Sequence, residues 1–347
     1  MISYVNILRS LAIIGVVVIH ATGPLMSRVD NMPYWWLGNL LDGAVRWCIP
    51  IFVMISGMLL LNPKKQESIS DFMKKRASKI LIPFVFWVLF YTLWKSRRSL
   101  GDFSVVSEAS NIISGDVYFH LWYMYMIVGL YLITPVIRVV IAHAQQRLIE
   151  YYLIIWFITS SLFPMASHFL DLNVGLKLEF FTGYLGYFIL GYYLHNVQIS
   201  EKAKKWIYLA GFLGLIVTFL GTYLGTEAKG AFEAYFYEYK SPNTFFVSVA
   251  LFVWAKNIDW DKHFSKDGAF MRVVASLSAT SFGIYLIHPF VMSLLGTELK
   301  NLVGFKLNYA FIHPIIGAPV SIVAILVWSY LIVWMMQRIP IIKKLVP

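Results

Sequence analysis

Charge is scarce in this chain. Only 14% of its 347 residues are Asp, Glu, Lys or Arg, against about 25% in a soluble globular domain. Acidic residues are the scarcer sign, 18 against 29 basic ones. Few carboxylates fall inside the long apolar runs, which argues against an ion pump built on an Asp or Glu relay. Cysteine occurs once, at Cys48, so no disulfide can form within the chain, and a lone Cys in an apolar stretch reads as a small buried hydrophobe. No His-x-x-x-His or His-Glu-x-x-His spacing is present, so no metal is expected. No basic tail or RNA-binding motif accompanies the net charge of +11, so no nucleic-acid partner is expected either. No internal repeat is visible, although transporters often show two matching halves.

What the chain has in excess is apolar surface. Hydrophobic residues make up 59% of it, more than a soluble core of this length can hide. The 12 Trp and 21 Tyr suit the membrane–water interface, where one end of the ring is wet and the other is not. A span needs roughly 17–25 mostly apolar residues. Ten segments qualify: 4–26, 43–61, 79–95, 119–140, 150–168, 179–196, 206–224, 241–256, 279–297 and 315–336. The first is too long for a signal-peptide core and reads as a retained span. The segment 225–240 alternates charge with aromatics and reads as an interfacial helix or loop. The expected fold class is an all-α polytopic integral membrane helical bundle of about ten spans. It forms a single domain over residues 1–347, with no soluble domain.

Orientation follows from the basic residues. With the N-terminus inside, 18 of the 29 Lys and Arg fall on cytoplasmic segments, ten fall outside and Arg9 sits within the first span. The segment 62–79 alone holds Lys64, Lys65, Lys74, Lys75, Arg76 and Lys79. Cytoplasmic loops attract such charge, so both termini are expected in the cytoplasm and the protein in the cell's inner membrane.

The first span contains Arg9 and His20. Ionisable groups inside a membrane are expensive and point to function. Eleven residues at 100° each bring both side chains to one helix face, about 16 Å apart along the axis. Asn6 and Gly23 fall near the same face. The pair suits acyl transfer, because an arginine fork suits phosphate or a thioester carbonyl. An imidazole can take a proton from a hydroxyl near neutral pH.

The run Arg9-Ser-Leu-Ala followed by His20, with ten residues between Arg9 and His20, resembles the hallmark of the membrane acyltransferase-3 family. Other pieces follow in the family's order. These are Pro50-Ile-Phe-Val-Met-Ile-Ser56-Gly57, Arg76-Ala-Ser-Lys79-Ile-Leu-Ile-Pro83, His120-Leu-Trp122-Tyr123 and Ser281-Phe-Gly283-Ile-Tyr285-Leu-Ile-His288-Pro289. The chain is most similar to the enterobacterial common antigen O-acetyltransferase branch. It departs from many relatives in carrying Asn6 where they have Asp, which removes a possible charge partner for Arg9. No C-terminal hydrolase-like domain of the kind some relatives carry is expected.

The resemblance implies an O-acyltransferase, most simply an O-acetyltransferase. It would take acyl-CoA, with acetyl-CoA as the simplest donor, from the cytoplasm. Its acceptor would be a hydroxyl of a surface polysaccharide or its lipid-linked precursor. His20 and Arg9 are the expected catalytic residues. Arg9, Arg76 and Lys79 would hold the donor's phosphates, since Arg76 and Lys79 lie one helical turn apart at the entry to the third span. His120, Trp122, Tyr123, His288 and Ser56 would meet the acceptor. Each residue also has a plainer use: topology-setting charge at Arg76 and Lys79, an interfacial belt at Trp122 and Tyr123, close helix packing at Ser56-Gly57. His288 precedes Pro289, which frees backbone groups that an imidazole can satisfy. The alternative class is an exporter or flippase of a glycan or lipid, with these polar residues lining a path. Partners other than acceptor, donor and membrane lipid are not indicated, and neither is an oligomeric state.

Overall fold

A computed structural model of the protein describes residues 2–64, 67–97, 101, 104–172, 175, 183–265 and 267–347. The expected Lys65 charge and the first residues of the 179–196 span lie outside that set. Among the described residues there is no strand, and helices dominate. In order they are α1 Ser3–Thr22, α2 Met32–Gly43, α3 Cys48–Leu60, α4 Ile69–Arg76, α5 Ile82–Ser96, α6 Val105–Ser114, α7 Trp122–His143 and α8 Gln146–Phe157. Then come α9 Phe163–Leu170, α10 Leu185–Asn196, α11 Glu201–Lys229, α12 Pro242–Asn257, α13 Trp260–His263, α14 Ala269–Ser293, α15 Leu299–Val303 and α16 Pro314–Met336.

Eight helical stretches among the described residues are long and apolar enough to cross a membrane. Several join two or more helices, as Met32–Leu60 joins α2 to α3 and Ile69–Ser96 joins α4 to α5. The two remaining expected spans coincide with α10, of 12 residues, and α12, of 16. Both fall short of the roughly 17 residues a straight crossing needs.

The chain forms two compact units. The first comprises Met1–Leu61 and Ala144–Tyr330. Its axis is α1, largely apolar and buried over most of its length. α1 packs chiefly on α14 and α3, and Ser10 Oγ donates to the Val274 carbonyl at 2.9 Å. α3 meets α10 backbone to backbone. A Cβ on Gly57 would fall 1.7 Å from the Phe188 carbonyl oxygen, and one on Gly191 would fall 1.9 Å from that of Met54. Only glycine permits this approach. α11 pairs with α12, where Asn243 Nδ2 donates to Thr218 Oγ1 at 2.8 Å and to the Phe236 carbonyl at 2.7 Å.

Segment 225–240, expected to be an interfacial helix or loop, begins in the end of α11 and continues as a loop that buries two of its aromatics in the protein. Gly230 ends α11 at φ +64°, and the chain folds back so that Tyr235 and Tyr237 are buried. Tyr237 packs with Met26 and Trp35, and its hydroxyl donates to Asn39 Oδ1 at 2.7 Å. The alternation of polar and aromatic residues marks a segment half buried in protein.

The second unit comprises Asn62–His143 and Leu331–Pro347. Ser68 caps α4 by accepting from the Asp71 amide. A π turn, Ala77–Leu81, joins α4 to α5, and Pro83 occupies the first turn of α5, where no amide is needed. Trp87 Nε1 donates to the Leu345 carbonyl at 2.9 Å, which fixes the C-terminal segment against α5. Further π turns, Ile158–Leu162 and Leu294–Glu298, follow α8 and α14 in the first unit. Such turns recur at functional sites.

Candidate functional site

α1 runs unbroken through Arg9 and His20, so their separation stays near 16 Å along the axis. The structure therefore does not bring the two together. It brings His20 to His288. Their rings stack with centroids 5.2 Å apart and planes 26° from parallel. This contact follows from the packing of α1 on α14 and is invisible in sequence, because 268 positions separate the two residues.

Pro289 explains the setting of His288. A proline has no amide to give the carbonyl four residues back, here that of Tyr285. His288 Nδ1 takes that place, 2.8 Å from the Tyr285 carbonyl and 3.1 Å from that of Ile284. A carbonyl oxygen only accepts, so Nδ1 carries the proton and the basic lone pair of the neutral ring belongs to Nε2. A neutral imidazole at His20, stacked on His288, can take a hydroxyl's proton.

A charged pair completes this part of the first unit. Asp42 is fully buried and lies 2.6 Å from Arg46, one helical turn later. α2 ends at Gly43, and the turn Ala44–Trp47 is closed by the Trp47 indole, which donates to the Ala44 carbonyl at 2.7 Å. The turn places the Arg46 guanidinium over the Tyr237 ring at 4.2 Å and within 6.0 Å of Tyr239. Arg46 lies within electrostatic reach of His20. Burial pushes the phenols of Tyr237 and Tyr239 far up, so both remain neutral donors. Arg46 is one of the ten basic residues counted above as falling outside. The signal that count passed over is an Asp and an Arg at i,i+4 within the apolar run Leu40–Leu61.

The other expected residues occupy different settings. Arg9 is half buried, with its neighbour Asn6 accepting from Ser278 Oγ of α14 at 3.0 Å. Asn6 thus ties α1 to α14. Ser56 Oγ donates to the Phe52 carbonyl of its own helix at 2.9 Å. Beside the start of α1 lies a cavity of about 570 Å³, bordered by Tyr4, Asn6, Trp260 and the carboxylates Asp259 and Asp261. Two carboxylates make it a poor receptor for phosphate.

In the second unit, Arg76 and Lys79 differ in exposure. The π turn that begins at Ala77 widens the helix between them. Arg76 is half buried, 5.4 Å from the Phe72 ring and 6.0 Å from that of Tyr131, while Lys79 is exposed. Arg138 of α7 joins Arg76 at Phe72, at 4.6 Å, and reaches Glu67 at 3.8 Å. Cavities of about 260 and 200 Å³ border Arg138 and Arg76. His120 is almost fully buried among Tyr91, Tyr118 and Phe119, with ring centroids 4.9, 5.8 and 5.6 Å away. Trp122 and Tyr123 open α7 beside it, 6.2 Å apart. Burial raises the Tyr118 phenol, against the nearby Arg97. Among the described residues no group of His, Cys, Asp and Glu could hold a metal ion.

An acyltransferase domain family, acyltransferase-3, matches residues 2–334 and so covers both units. No curated protein and no solved structure matches the chain.

Proposed function

The chain belongs to the acyltransferase-3 family and is a membrane acyltransferase passing an acyl group to a hydroxyl; from that premise we propose that it is an O-acyltransferase of a surface glycan, with His20 as its general base. The stack of His20 on His288 is the observation that carries this reading. As a glycan hydroxyl attacks the thioester carbonyl of acyl-CoA, most simply acetyl-CoA, its proton passes to His20. The carbon–sulfur bond breaks, and the departing thiolate recovers that proton. His288 buttresses the imidazole. Arg46, held by Asp42, supplies positive charge for the oxyanion that develops in the transition state.

Donor phosphates are assigned to Arg76 and Lys79, with Arg138 as a further cation that the geometry adds at Phe72. Arg9 has the same chemistry at the inner half of α1. Acceptor contacts are assigned to His120, Trp122, Tyr123, His288 and Ser56. The acceptor is a surface polysaccharide or its lipid-linked precursor, as in the enterobacterial common antigen branch. The protein lies in the inner membrane with both termini in the cytoplasm. α11 tests this orientation. Its 29 residues reach about 43 Å, longer than the ~30 Å hydrocarbon core. Cysteines at Lys202 and Glu227 therefore emerge on opposite sides, and the native Cys48 is buried and silent. A membrane-impermeant thiol reagent on intact spheroplasts should label position 227 and spare 202.

The function is tested by ester analysis of the surface glycan from a deletion strain. Loss of O-acyl groups with unchanged chain length supports the acyltransferase of a glycan. Retained O-acylation removes the glycan from the account.

A further inference from the structure

A second cavity in the first unit has no part in the chemistry above. It measures about 310 Å³ and lies between the π turn after α8, α9 and segment 235–241. Its lining includes Ser160, Ser161, His168, Tyr235, Glu238 and Lys240. The volume is at the small end of ligand pockets. We infer that it is a carbohydrate subsite that holds a sugar unit of the acceptor; the inference rests on the glycan reading above.

Three observations carry it. The first is an unmet hydrogen-bonding group. Tyr235 is nine-tenths buried, yet its hydroxyl has no hydrogen-bonding partner among the described residues. Buried hydroxyls are rarely left so, and Tyr235 is one of the residues that line this cavity. Burial pushes this phenol up to about 12, so it stays a neutral donor across the physiological range.

The second is how firmly the wall is built. Ser161 Oγ donates to the Lys240 carbonyl at 2.6 Å, which ties the π turn to the segment opposite. The Tyr235 ring stacks on His168 with centroids 4.7 Å apart. His168 Nε2 lies 3.3 Å from Glu233, which also binds Lys229 and accepts from the Tyr235 amide at 2.9 Å. The wall is set before a ligand arrives, which lowers the cost of binding.

The third is the balance of the lining. It offers one carboxylate, one ammonium and several hydroxyls. An anion would gain at Lys240 and lose at Glu238. A neutral polyol gains at both, because charged groups make the stronger hydrogen bonds to hydroxyls. The same segment continues to Tyr237 and Tyr239, which face Arg46. A sugar chain held at Tyr235 would thus lie one short stretch of backbone from the reaction centre.

The test uses the full-length protein in nanodiscs, saturating acetyl-CoA, and unmodified surface polysaccharide purified from the deletion strain. Tyr235→Phe removes the hydroxyl and keeps the ring on His168. Glu238→Gln alters an exposed side chain with little effect on folding. Each should raise the acceptor KM about five- to tenfold, the worth of one buried hydrogen bond. The donor KM and the kcat at saturating acceptor should stay within about twofold. Wild-type acceptor KM in both variants overturns the subsite alone. A KM that responds to Lys240→Gln and to salt, but to neither other variant, marks an anionic occupant and also overturns it. A wild type that acylates no polysaccharide removes the glycan reading and the subsite with it.

Discussion

The imidazoles of His20 and His288 lie in contact, although one belongs to the first helix and the other to a helix more than 260 residues later. His288 also replaces a backbone donor that Pro289 takes away. These two tasks can be separated. His288→Ala should lower acyl transfer more than tenfold and cost about 1–3 kcal/mol by depriving the Tyr285 carbonyl of that donor. Adding Pro289→Ala supplies an amide for the carbonyl, so stability should return while activity does not. Thermal denaturation and turnover of the purified variants measure the two effects. Recovery of activity in the double variant would reduce His288 to a helix-mending role.

Asp42 and Arg46 form a buried pair. Asp42→Ala leaves Arg46 charged without its partner and should destabilise by about 3 kcal/mol. Asp42→Leu with Arg46→Met removes both charges and should recover most of that loss, since apolar replacements of buried pairs are tolerated. Transfer should remain impaired in the double variant because the oxyanion loses its cation. A fully active double variant would make the pair a packing feature only.

Gly57 tests the bundle itself. An added methyl would overlap the Phe188 carbonyl, and backbone cannot swing aside as a side chain can. Gly57→Ala should cost about 3 kcal/mol or more, read as a lowered denaturation temperature in detergent. Tolerance of alanine would mean that α3 and α10 are further apart than described.

Glu233 gives a pH dependence. Burial opposes its charge, but Lys229, the Tyr235 amide and His168 outweigh burial and hold its carboxyl below the usual value. A carboxyl whose folded pKa is depressed stabilises the fold above its unfolded pKa, ~4.3. That contribution disappears as pH falls through the folded value. Glu233→Gln should therefore melt lower than wild type near pH 6, and the gap should close as pH approaches ~3. A gap independent of pH would show that the carboxylate's charge contributes nothing.

Much of this was legible in the sequence. The apolar runs gave the helical membrane class and the first span with Arg9 and His20, because lipid imposes length and polarity on every crossing helix. The ordered motifs gave the family. What was not legible depends on tertiary contact. The stack of His20 on His288 requires α1 to meet α14. The π turn that begins between Arg76 and Lys79 is one that regular helical spacing cannot foresee. The inward fold of Tyr235 and Tyr237 was hidden because burial in protein and burial at a lipid interface select the same aromatics. Arg46 looked like loop charge until Asp42 and Tyr237 were seen around it.

The most direct measurement is acyl transfer by purified His20→Ala beside wild type, with acetyl-CoA and polysaccharide from the deletion strain. Ester formation is followed by mass spectrometry of the glycan, and a monodisperse, correctly inserted protein is required of both samples. Loss of a general base costs about 10²–10⁴ in rate. The expected result is a wild type that forms the glycan ester and a His20→Ala protein slower by at least about a hundredfold. Ester formation by His20→Ala at the wild-type rate would contradict the assignment of His20 as the base.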